Sequence, residues 1–118
     1  MKFLLAILLS VSTFLISCNK DPDPVIEDGV PNCVLEQIEI FKQTINPCDQ
    51  NGPSVIEYKF QGSIVYAFDM GQCISDGGTS ILNESCEEIC LLGTIVGITD
   101  CLDEPFENAI RIRVIWQD

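Results

Sequence analysis

The chain has no histidine among its 118 residues. Ser-His-Asp and Cys-His catalytic sites are therefore excluded, and a catalytic zinc would lack its usual imidazole ligands. Positive charge is scarce: six Lys and Arg stand against eighteen Asp and Glu, a formal charge of −12. Such a surface repels phosphate backbones and anionic headgroups, which argues against nucleic-acid binding. Its commonest consequence is solubility. Long apolar runs are also missing. The longest extends from Phe3 to Ile16 and is followed within five residues by Lys20 and Asp21, short of the roughly 18 apolar residues that a spanning helix requires. There is no Walker motif and no G-x-G-x-x-G. Asp76-Gly77-Gly78-Thr79 is too short for a phosphate loop, and Asp21-x-Asp23 begins like a calcium loop without the rest of the pattern. No metal or cofactor site is expected.

What is present begins with an address. Lys2 supplies a small positive region and Phe3 to Ile16 an apolar one, the pattern of an export signal. The run closes on Leu15-Ile16-Ser17-Cys18, which reads as a lipobox. The resemblance to bacterial lipoproteins implies cleavage between Ser17 and Cys18, diacylglycerol on the Cys18 sulfur and usually another acyl chain on its amino group. Two or more acyl chains anchor a protein stably, where one does so only marginally. Asn19 follows the cysteine, so the aspartate of the common inner-membrane retention signal is absent, and outer-membrane location is expected. The division is then a signal peptide over 1–17, a lipidated Cys18 and acidic linker over 18–31, and one globular domain over 32–118. The mature chain of 101 residues carries a formal charge of −13.

The chain has seven cysteines. Assigning Cys18 to lipid leaves Cys33, Cys48, Cys73, Cys86, Cys90 and Cys101, an even number that reads as a disulfide framework in a small exported domain. Fifteen pairings are open to six cysteines. The preferred one is sequential, Cys33–Cys48, Cys73–Cys86 and Cys90–Cys101, because each bond closes a short loop. Cys86-x3-Cys90 has finger-like spacing, but the lack of histidine and the oxidising compartment favour disulfides over zinc.

Residues 19 to 31 are acidic and broken by proline and glycine, as in a flexible stalk. A helix follows. Asn32 is the expected cap, and Val34, Leu35, Ile38, Phe41 and Ile45 fall on one apolar stripe. Asn46-Pro47 ends it. Val55 to Phe60 and Ser63 to Phe68 alternate, are rich in β-branched and aromatic residues, and predict a hairpin. A three-residue loop, Phe60-Gln61-Gly62, gathers Ile56, Tyr58, Ile64, Tyr66 and Phe68 on one face, so that register is preferred. The last strand, Ala109 to Trp116, is expected to bury Ile110, Ile112, Val114 and Trp116 and to expose Arg111, Arg113 and Ile115. Asp76-Gly77-Gly78 reads as a turn, and Ser80-Ile81-Leu82 and Thr94-Ile95-Val96 as short strands. The fold class is α+β: an N-terminal helix on an antiparallel sheet of three to five strands, stapled by disulfides.

From Ser54 to Asp69 the sequence reads Ser-Val-Ile-Glu-Tyr-Lys-Phe-Gln-Gly-Ser-Ile-Val-Tyr-Ala-Phe-Asp. With the Leu-Gly-Thr-Ile-Val-Gly of the Cys/Gly-rich stretch and the closing Val-Ile-Trp-Gln-Asp, it resembles a family of small Bacteroidota lipoproteins sharing a domain of unknown function, over roughly residues 33 to 118. The resemblance implies no activity and carries no functional residue across. The leading expectation is a non-enzymatic, lipid-anchored envelope domain that binds a protein partner or serves structure. A carbohydrate-binding or hydrolase accessory subunit is the alternative, with Tyr58, Tyr66 and Trp116 as the platform it would need. Those three are read first as core residues. An enzyme built on paired carboxylates ranks third.

Overall fold

A computed structural model describes residues 24–45, 51–73 and 77–118, without the side chain of Cys73. Helix α1 spans Asn32–Thr44. Pro31, not Asn32, is its N-cap, and it has no side-chain cap bond. The Pro31 carbonyl accepts from the Val34 and Leu35 amides at 3.0 and 3.1 Å. Val34 and Ile38 are fully buried, flanked by the half-buried Leu35 and Phe41. The chain is extended at Ile45.

Strands β1 (Ser54–Phe60), β2 (Ser63–Asp69), β3 (Gly78–Asn83), β4 (Glu88–Gly93) and β7 (Ile110–Gln117) form one antiparallel sheet in the order β4-β3-β2-β1-β7. Two further short strands, β5 (Asp100–Cys101) and β6 (Glu104–Pro105), pair with each other. Among the described residues the architecture is therefore one α-helix with a five-stranded antiparallel sheet, α+β and disulfide-stabilised.

The hairpin register differs from the expected one. Phe60 pairs with Ser63, Tyr58 with Val65 and Glu57 with Tyr66, which leaves a two-residue turn. Gln61 and Gly62 both have positive φ, 51° and 78°, as a primed hairpin turn requires. The three-residue loop was favoured because it collects apolar residues on one side. The sheet is covered on both sides. Val55, Tyr66, Phe68 and Leu82 meet α1, with Ile115 and Trp116. Phe60, Val65, Ala67 and Ile81 meet Cys101 and the partly buried Tyr58 and Phe106. With two buried faces, alternation no longer selects a register.

In β7 the expected pattern fails for a second reason. Its pairing with β1 shifts between Val55 and Ile56 and again between Glu57 and Tyr58. Each shift is a bulge that turns the following side chains. Ile115 and Trp116 are consequently both buried, whereas Ile110 and Ile112 are exposed.

The stretch before the last strand also departs from expectation. Ser80–Leu82 lies within β3, and Gly78 opens that strand instead of completing a turn; Asp76 is outside the described residues. Thr94–Val96 is a turn and not a strand, between Gly93 and Ile98, which exchange two backbone hydrogen bonds of 2.7 and 3.0 Å. The strand is β4, just upstream. Asn83 builds the connection from β3 to β4. Its side-chain oxygen accepts from the amides of Ser85 and Glu87 at 3.0 and 2.9 Å.

Candidate functional site

Of the expected site residues, Cys18 and Cys48 lie outside the described residues, as does the side chain of Cys73. The other four cysteines form two bonds. Cys90–Cys101 is as expected. Cys33 bonds to Cys86, across 53 residues, and this overturns both Cys33–Cys48 and Cys73–Cys86. Loop length favours local pairing only when the chain can double back. Here α1 starts beside the turn after β3, so that turn brings Cys86 to the first helical turn while Cys48 follows the opposite end of the helix. Cys33–Cys86 thus ties α1 to the sheet. Cys90–Cys101 ties β4 to the segment covering the second face.

The aromatic residues do not assemble into one platform. Tyr66 and Trp116 are buried on the helix face. There Phe41 packs edge-on against Phe68 and Trp116, with centroids 5.3 and 6.1 Å away. Tyr58 is on the opposite face, edge-on to Phe106 at 5.1 Å. The expectation that Tyr58 and Tyr66 share a face is therefore corrected by the hairpin register.

One charged pair enters the helix face. Glu57 is 8% exposed, and Arg113 Nε donates to its Oε2 at 3.1 Å. The same guanidinium donates to the Asp28 carbonyl at 2.6 Å. The alternating pattern of the last strand predicts Arg113 on an exposed face. The β7 bulges place it opposite Glu57, where burial raises the stakes of the pair. Burial, followed by the negative charges of Glu57 and Glu84, pushes the Tyr66 phenol up to about 12.

Among the surface grooves of the described residues, two are of a size to take a ligand. The larger, about 530 Å³, is lined by Leu92, Gly93, Ile98 and Pro105 together with Asp100 and Glu107. The second, about 360 Å³, is more polar and includes Asn51, Asp69, Gln72 and Arg111. The turn after β4 presents Ile95 and Val96 at 83% and 81% exposure. Sequence reading missed this apolar tip by reading Thr94–Val96 as a strand. Gly93 and Gly97, both at positive φ, were the available sign of a turn. Among the described residues no group of three or more Asp, Glu or Cys is arranged to hold a metal ion, and no helix is long and apolar enough to cross a membrane.

A small α+β domain, with one helix and a second covering segment fastened to a five-stranded sheet by disulfides, is the class these features define. The chain belongs to the family described as a domain of unknown function, DUF6970, whose model matches residues 42–118. The match takes in the whole sheet and the last turn of α1, and begins after Cys33. No curated protein and no solved structure matches the chain.

Proposed function

We propose that the protein is a lipid-anchored component of a bacterial cell envelope whose domain binds a protein partner or serves as structure, without catalysis. The observation that carries this reading is Leu15-Ile16-Ser17-Cys18 at the end of an apolar export signal. Cysteine parity supports it: with Cys18 reserved for lipid, six remain, and four of those are already joined in two disulfides. Such bonds suit an oxidising, extracytoplasmic compartment. The outer membrane is the proposed location, since Asn19 replaces the aspartate of the retention signal. The sequence resemblance to small Bacteroidota lipoproteins points the same way. The carbohydrate alternative needs adjacent exposed aromatic rings, and Tyr66 and Trp116 are spent in the core. For the carboxylate alternative, Asp100 and Glu107 share a groove, but both are open to solvent.

Membrane fractionation tests the reading. The unsubstituted chain should sediment with membranes, and Cys18→Ala should move to the soluble fraction. Unchanged membrane retention of Cys18→Ala would overturn the anchor.

A further inference from the structure

We propose that the turn carrying Ile95 and Val96 is a second membrane contact, which dips into the electroneutral lipid surface to which Cys18 is anchored. The inference rests on the lipid-anchor reading above and adds an orientation to it.

The geometry is set by strand register. Ser54, Asp69, Thr79, Leu92 and Gln117 stand in line across the sheet and mark one of its ends. The turn 94–97 projects beyond Leu92 and Gly93 at that end. The amino-terminal segment comes in along the opposite edge, where the Ile26 amide donates to the Ile115 carbonyl at 2.9 Å. From Ile26 the chain runs away from this end. It passes Asp28, held by Arg113, and reaches the start of α1, which Cys33–Cys86 fixes at the far end. Pro24 and Val25, the described residues upstream of Ile26, therefore lead back toward the level of Gln117. The first described residues and the apolar tip stand at the same end of the sheet, on opposite edges.

Distances make the two contacts compatible. Only residues 19 to 23 separate Cys18 from Pro24, a reach of about 20 Å when fully extended. The outer strands of a five-stranded sheet lie about 20 Å apart. A domain held that closely by one edge can rest its other edge on the same surface.

The chemistry of the tip selects the surface. Leu91 to Thr99 contains no ionisable side chain, although eighteen acids are spread over the chain. Two adjacent aliphatic side chains exposed beyond four-fifths at a turn mark an interaction site more readily than scattered apolar residues do. Asp69 and Asp118 are exposed at the same end. They would be repelled by anionic headgroups, so zwitterionic lipid is the occupant that fits.

The test uses the full chain, matured with its lipid and reconstituted in phosphatidylcholine vesicles containing brominated lipid. Ile95→Trp and Val96→Trp report on the tip, while Ser63→Trp reports on the far end. Trp116 is buried and provides a constant background. The two tip variants should be quenched several-fold more than Ser63→Trp, with blue-shifted emission. Equal quenching in vesicles that carry the protein to the top of a flotation gradient would overturn the second contact and leave the anchor standing. Failure of the protein to float at all would overturn both.

Discussion

Glu57 and Arg113 are the residues whose removal is expected to cost most for their size. A nearly buried carboxylate left without its partner destabilises a fold strongly. Arg113→Ala should lower stability by about 2–3 kcal/mol, near the low end for buried pairs because Arg113 is itself partly exposed. Arg111→Ala, exposed on the same strand, should change stability by no more than about 0.5 kcal/mol. Urea midpoints at constant slope measure both; equal losses would show that the pair is not special. Tyr66 sets a pH limit. An unfolded tyrosine ionises near 10, whereas the buried one holds its proton to about 12. Below pH 10 that contribution is fully present, and it is lost as pH rises from 10 to 12. It amounts to on the order of 2–3 kcal/mol once both states have ionised. Urea midpoints should fall over that window, and fall less in Tyr66→Phe. An identical decline in the two proteins would remove Tyr66 as the cause.

Among elements, the legible parts were those set by local chemistry. The spacing of Val34, Ile38 and Phe41 gave the helix, the two arms around Gln61-Gly62 gave a hairpin, and the alternating tail gave the last strand. The illegible parts depended on what covers each face. Glu57 beside Tyr66 looks like a faulty register until Arg113 arrives from β7. Thr94, Ile95 and Val96 favour strands by propensity, yet they form a turn because the backbone closes between Gly93 and Ile98. For the disulfides, the number of cysteines was readable, but Cys33–Cys86 follows from helix direction. Peptide mapping of the non-reduced protein should recover Cys33–Cys86 and Cys90–Cys101. The two remaining domain cysteines, Cys48 and Cys73, flank in sequence the pair Asn51 and Gln72, whose backbones are hydrogen-bonded at 3.0 Å. A third cross-link between Cys48 and Cys73 is therefore expected. A peptide joining Cys33 to Cys48 would contradict the pairing.

For the whole molecule, the proposed anchor at Cys18 is to be weighed against how firmly the first described residues are held. Arg113 holds Asp28, Ile26 extends the edge of β7, and Val30 is buried with the helix core. The described residues are thus bound into the fold from about Ile26 onward. The acidic balance keeps the rest of the surface soluble. Intact-mass spectrometry of the chain extracted from membranes tests the anchor most directly. The expected mass is that of residues 18–118 with its acyl groups and with six hydrogens missing, for six cysteines joined in three disulfides. An unacylated chain, or one beginning at a residue other than Cys18, would contradict it.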